Sequence, residues 1–286
     1  MAPCLRWLPT RTLPGAWQMA IDACLLDRLV AGDRGGPLLR FYRWSQPTLS
    51  LGKHQRAPEE RWLRLAAEGR LALVRRPTGG SAVLHGGDLT YALLWPDPPR
   101  QRREAYRLCC QWLRDAFAAL GQPLRFGDAP ATADQPNCFA SSTAADLVHD
   151  DGSKRVGSAQ LWRSGALLQQ GSVQLAPDDA LWRDVFGEPA PRLNALPLMG
   201  DTLEEHLLDA ARRWLPGACG AAASAHVDVP SAVLCRDDLT DQEWRAIGAT
   251  LDRYAVGGGA DADFAAAASC ASAIVRATDP SASPKG

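Results

Sequence analysis

Two residues of this chain have types that suit covalent catalysis. Cys138 follows a turn marked by Pro136, and Lys154 lies further along the same stretch, N-C-F-A-S-S-T-A-A-D-L-V-H-D-D-G-S-K-R-V-G-S-A-Q. A thiolate is the nucleophilic form of cysteine, and an ammonium close by favours that form. Of the 31 lysines and arginines, only Lys53, Lys154 and Lys285 are lysine. A chain that spends arginine on plain positive charge gives a lysine at 154 more meaning. Lysine is a compact point charge, whereas arginine is a planar fork. On local sequence alone, a small buried thiol in a turn and a nucleophile stand equally for Cys138.

A thiol nucleophile commonly relies on a histidine, and His54, His85 and His149 are the candidates. His149 stands beside Asp150-Asp151-Gly152 and reads as a solvated loop residue. His85, just past a glycine bend, divides between pocket, core and surface readings. Asp134, Asp146, Asp150 and Asp151 are not at metal-ligand spacing, and no metal site is expected. The 8 cysteines form no C-x-x-C pair, which argues against a disulfide framework and fits a reducing cytoplasm. Cys109 and Cys110 fall on a helical stripe and read as buried structural thiols.

The glycine bend itself is R-R-P-T-G-G-S-A-V-L-H, residues 75–85. Pro77 bars helix before it, and Gly79-Gly80 permit close backbone approach or positive φ. Arg75 and Arg76 feeding such a bend suit a carboxylate, a phosphate or a carrier-borne acyl group. The competing reading is an ordinary hairpin turn with solvated arginines. A P-loop is excluded, because no G-K-[ST] follows. After Lys154, Gly157-Ser158-Ala159-Gln160 reads as a second turn.

The elements that must position these groups alternate between the two periodicities. Helices are expected over 16–31, from Pro58 to Gly69, over 102–120, and at about 177–186 and 202–215. A last helix opens at Thr240 with Glu243 three residues on, a capping box. Strands are expected at P-L-L-R-F-Y-R-W, T-L-S-L-G-K, Leu71–Arg76, D-L-T-Y-A-L-L-W and A-L-L-Q-Q-G-S-V-Q-L, with short ones at P-L-R-F, C-F, A-D-L-V and S-K-R-V. D-D-G-S reads as a hairpin turn. The result is one α+β domain over residues 1–255 and a Gly/Ala/Ser-rich, mobile tail over 256–286. At 286 residues there is ample length for a core, and a net charge of −1 creates no global field for nucleic acid or an anionic membrane. No apolar run is long enough for a membrane span, and the proline-rich N-terminus has no apolar signal-peptide region.

Three blocks, W-S-Q-P-T-L-S-L-G-K-H-Q (44–55), R-R-P-T-G-G-S-A-V-L-H and K-R-V-G-S-A-Q with G-A-L-L-Q-Q-G-S-V, together resemble the biotin/lipoate protein ligase superfamily. Within it, N-C-F ahead of Lys154 resembles the octanoyl-carrier-protein:protein octanoyltransferases whose cysteine precedes the lysine. The resemblance implies a mixed, mostly antiparallel central sheet flanked by helices. It implies that Cys138 carries an acyl thioester, and that Lys154 favours the thiolate and helps bind the acyl group. Substrate contacts are implied for Arg75, Arg76, Thr78, Gly79, Gly80, Ser81, Ala82, His85, Gly157, Ser158, Ala159 and Gln160. Backbone amides near Gly79-Gly80 or Gly157-Ser158 are candidates to stabilise an oxyanion. Expected partners are acyl carrier protein as donor and a lipoyl-domain protein as acceptor, such as glycine cleavage H protein or a 2-oxoacid dehydrogenase E2. No cofactor is expected. A lipoate–protein ligase, needing ATP and Mg²⁺, is the alternative, and a non-catalytic binder of lipoyl or acyl-carrier domains is the third. Two departures stand out: Ser81 replaces a usual third glycine, and Gln170 replaces a usual histidine.

Overall fold

The computed structural model describes residues 4–33, 36–128, 137–140, 146–218 and 232–257. Its eleven strands are β1 (Cys4–Leu13), β2 (Leu38–Trp44), β3 (Thr48–Leu51), β4 (Ala72–Arg75), β5 (Val83–His85), β6 (Asp88–Trp95), β7 (Arg125–Phe126), β8 (Leu147–Val148), β9 (Lys154–Arg163), β10 (Ala166–Gln174) and β11 (Val233–Arg236). Six helices accompany them: α1 (Gly15–Val30), α2 (Glu60–Ala67), α3 (Arg102–Ala119), α4 (Asp179–Phe186), α5 (Gly200–Ala218) and α6 (Asp241–Gly248). Eight strands form one sheet in the order β11-β1-β2-β6-β10-β9-β8-β7, and β4-β3-β5 form a small second sheet. Among the described strands, β11–β1, β1–β2 and β3–β4 pair parallel and the others antiparallel. This is the α+β fold with a mixed, mostly antiparallel sheet that the sequence leads one to expect.

Strand alternation decides which side each helix covers, because successive side chains point to opposite faces. Leu39, Phe41, Tyr91, Leu93 and Leu167 join the core beneath α3 and α5. Leu38, Tyr42, Ala92, Leu94 and Leu168 join the core beneath α1 and α6. A third core, with Leu49, Leu51, Trp62 and Trp182, fixes the small sheet to α2 and α4. The large sheet is therefore sandwiched, and its long strands β6 and β10 are buried along their whole length.

The structure departs from the sequence reading in four places. Gly157–Gln160 is the middle of β9, hydrogen-bonded against Gln169–Ser172 of β10, rather than a turn. Cys138-Phe139-Ala140 is one turn of 3-10 helix rather than strand. Cys4–Leu13 is a strand between β11 and β2, although Pro9 lacks a ladder donor. The β1–β2 register shifts between Leu8 and Arg11, so the proline sits at an irregularity, where strands tolerate it. Finally, Cys4 and Cys235 are joined by a disulfide across β1 and β11. A scattered cysteine pattern does not reveal a pair brought together by strand neighbours 231 residues apart. The capping box at Thr240 and Glu243 is present. Of the tail, only Val256 and Gly257 are among the described residues; Val256 donates to the Leu73 carbonyl, extending the domain's contacts just past 255.

One glycine ties the sheet to its helix layer. Gly171 of β10 stands opposite Tyr91 of β6, and a Cβ there would lie 2.2 Å from the Tyr91 ring. Gly171→Ala is expected to lower unfolding free energy by about 1–3 kcal/mol through overpacking. Urea denaturation measures this; an unchanged midpoint would contradict the ring's placement.

Candidate active site

The 3-10 turn that carries Cys138 is anchored at both ends. Asn137 pairs with Ala82 in an isolated parallel bridge, and the Cys138 amide donates to the Ala82 carbonyl at 3.0 Å. The Asn137 side chain accepts from the Phe139 amide at 2.8 Å and donates to Glu188 at 2.5 Å. The glycine bend thus positions the cysteine from one side and the segment after α4 holds it from the other. The Phe139 ring packs edge-on against Trp182 of α4. The half-buried Cys138 lines a pocket with Met19, Tyr42, Trp44, Arg76 and Gln170.

Lys154 begins β9 and is 4% exposed. Its Nζ donates to the Cys138 carbonyl at 2.5 Å and lies 3.6 Å from Cys138 Sγ. It is ion-paired with Asp146 at 3.0 Å and stands 4.9 Å from the Phe139 ring centre. A buried ammonium is tolerated only when paired and hydrogen-bonded, and these groups meet that demand. Gly157 makes room for the arrangement: a Cβ there would lie 3.2 Å from Lys154 Cε and 3.4 Å from Phe139. Arg76 is a second cation lining the pocket with Cys138. Burial lowers its pKa, and the thiolate charge opposes that effect.

The two arginines of the bend are not solvated. Arg76 donates to the carbonyls of Ser50, Gly79 and Ser81. Arg75 donates to the carbonyls of Gly52 and Gln55. Arg76 therefore braces the bend through its own carbonyls, whereas Arg75 ties the end of β4 to the segment after β3. Arg76 also lines the pocket; Arg75 does not. Gly80 has φ +90°, as the sequence reading allows, but the close approach falls elsewhere: a Cβ on Gly52 would collide with the Gly80 carbonyl, while Gly79 has ordinary space around it.

Of the remaining expected site residues, His85, Gly157, Ser158 and Ala159 line the pocket with Cys138. Thr78, Gly79, Gly80, Ser81 and Ala82 shape the bend behind it. Gln160 bonds Gln169 and Trp162 outside the pocket lining. His149 is buried rather than solvated: its Nε2 accepts from Arg155 Nε at 3.0 Å. Burial, then the Arg155 charge, lowers its pKa. Asp134 lies outside the described residues. Among the described residues no cluster of three or more metal-ligating side chains is present, and no helix is long and apolar enough to cross a membrane.

Sequence reasoning passed over two features. Asp146 was weighed only as a metal ligand; its signal was the A-D-L-V strand folding back on K-R-V through the D-D-G-S turn. The other is a buried polar cluster at the pocket floor. Gln170 accepts from Thr78 at 2.7 Å and donates to Asp22 at 2.6 Å, while Asp22 pairs with Arg40 at 3.0 Å and accepts from Tyr42 at 3.0 Å. Burial raises the Asp22 pKa, against the opposing pull of Arg40 and the hydrogen bonds from Gln170 and Tyr42. Gln170 thus fastens the glycine bend to α1.

Residues 14–193 match the lipoyl protein ligase A/B catalytic domain family. The octanoyltransferase LipM of Halalkalibacterium halodurans is 36% identical over 191 residues, covering 62% of this chain and 68% of that protein. That of Geobacillus kaustophilus is 35% identical over 201 residues, covering 66% and 71%. Among solved structures, a lipoate-protein ligase A bound with ATP superposes with TM-score 0.68 at 20% identity, covering 88% of this chain and 95% of that one. A bipartite lipoate protein ligase from Thermoplasma acidophilum gives TM-score 0.66 at 20% identity, covering 88% and 93%. These structures share the fold.

Replacing Lys154 by Met should slow alkylation of Cys138 by iodoacetamide at neutral pH by about tenfold or more. A charge pair near 4 Å at effective dielectric of about 20 is worth about 4 kcal/mol before desolvation, and about 1.4 kcal/mol already makes a factor of ten. Peptide mapping of the alkylated protein isolates Cys138 from the other thiols. An unchanged rate would show that the ammonium does not support the thiolate.

Proposed function

The chain belongs to the lipoyl protein ligase A/B catalytic domain family, and within it we propose that Cys138 carries an octanoyl group between two proteins. The enzyme is an acyltransferase of the octanoyltransferase type. The observation that carries the covalent reading is the Lys154 ammonium, 3.6 Å from Cys138 Sγ.

In the first transfer, the Cys138 thiolate attacks the carbonyl carbon of an octanoyl thioester on acyl carrier protein. The new S–C bond forms, the donor's C–S bond breaks, and the carrier's phosphopantetheine leaves as thiolate. In the second, the ε-amine of a lysine on a lipoyl domain attacks the enzyme thioester. The C–N bond forms and Cys138 is released. Splitting the transfer through a covalent intermediate replaces one difficult encounter of two proteins by two tractable steps. No nucleotide enters this scheme, because the donor thioester is already activated. Lys154 supports the thiolate before attack and after release, and Asp146 with the Cys138 carbonyl keeps the ammonium in place. Glycine cleavage H protein and 2-oxoacid dehydrogenase E2 lipoyl domains are the acceptor class.

Incubation with octanoyl carrier protein, without ATP, should give one octanoyl adduct by intact mass spectrometry, absent in Cys138→Ala. Modification of a lipoyl domain only when ATP and free octanoate are supplied would instead establish ligase chemistry.

A further inference from the structure

The pocket that Cys138 lines contains a second chain of polar side chains for which thioester formation has no use. Ser50 on β3 and His85 on β5 both line it. Ser50 Oγ lies 2.8 Å from His85 Nε2, and His85 Nδ1 lies 2.7 Å from Asp88 Oδ2. Asp88 also accepts from Thr90 at 2.9 Å, from Ser172 at 2.7 Å and from the Gly86 amide at 3.1 Å. The His85 ring is stacked on Trp44 at 4.0 Å between centres, which fixes its plane. Ser50 Oγ accepts in addition from Arg76 at 3.3 Å.

These contacts suit one tautomer: with its proton on Nδ1, His85 donates to Asp88 and leaves Nε2 to accept the Ser50 hydroxyl proton. Ser50 Oγ has two lone pairs, and Arg76 uses one. A hydroxyl bonded to an oriented histidine, itself bonded to a carboxylate, can take a proton at one end and store it at the other. Burial opposes ionisation of Asp88, but the attraction of a protonated His85 and the hydrogen bonds to the carboxyl outweigh it, and hold the carboxyl below the usual carboxylate range. Asp88 is thus placed to hold an imidazolium once His85 has taken a proton.

We propose that Ser50, His85 and Asp88 form a proton relay for the second transfer, an inference that rests on the Cys138 acyl-enzyme. As the lysine amine attacks, the C–N bond forms and the C–S bond breaks, its electron pair passing to Cys138 sulfur. The nitrogen's surplus proton moves to Ser50 Oγ while the Ser50 proton moves to His85 Nε2. The imidazolium is held by Asp88, a positioning residue, until it returns the proton to solvent. The first transfer needs no such acceptor, because a thiolate attacks and a thiolate leaves. The titratable and charged groups set around His85 are Asp88 on β6, Arg76 through Ser50, and Tyr42 on β2, which is coupled to Asp88.

The test separates the two steps in the full-length chain by quenched-flow intact mass spectrometry. Cys138 is first loaded from octanoyl carrier protein, and a lipoyl domain is then added. In His85→Gln and Ser50→Ala, the ratio of transfer rate to loading rate should fall about 10²-fold. Ser50→Thr, which keeps a hydroxyl, should restore most of it. Equal losses in both steps, or no recovery in Ser50→Thr, would overturn the relay and leave these residues structural. Absence of any adduct on wild-type Cys138 would overturn the acyl-enzyme itself, and the relay with it, before any variant is made.

Discussion

The seating of the Lys154 ammonium is the constraint on which the rest of the site depends. A charged amine 4% exposed must find compensation within a few ångströms. It finds the Asp146 carboxylate, the Cys138 carbonyl, the thiol and the face of Phe139. Those groups come from the strand before β9 and from the 3-10 turn, so one buried charge brings two segments of chain into register. The same contacts bring the Cys138 thiol and the cation together.

The sheet explains why the corner has its shape. β9 and β10 pair so that Gly157 lies opposite Ser172, and Ser158 opposite Gly171. One missing side chain admits Lys154 and Phe139; the other admits the Tyr91 ring. On the neighbouring side, the glycine bend is held by Arg76 and, through Thr78 and Gln170, by Asp22 on α1. The bend then offers the Ala82 carbonyl to Cys138. Residues far apart in sequence meet because a rigid loop lies between the small sheet and the large one.

Much of this was legible beforehand. Helix spans followed from 3.6-residue periodicity, and the glycine bend announced the positive φ of Gly80. The scarcity of lysine singled out Lys154. What escaped the sequence depended on long-range pairing. G-S-A-Q looks like a turn until β10 pairs with it. Arg75 and Arg76 look like anion ligands until nearby carbonyls take their donors. Asp146 gains its meaning only when a hairpin folds it back on Lys154. His149 looks solvated until Arg155 reaches it, and Gln170, which marked a departure from the family pattern, proves to be a strut between the bend and α1.

The account stands on Cys138 being a way-station for the acyl group rather than a bystander in the pocket wall. Kinetic competence of the isolated intermediate tests this most directly. Octanoyl-enzyme freed of donor and mixed with a lipoyl domain should lose its adduct as the acceptor lysine gains one, mole for mole and at least as fast as steady-state turnover. An octanoyl-enzyme that stays loaded, or sheds its acyl group only to water, while turnover with fresh donor proceeds would contradict it.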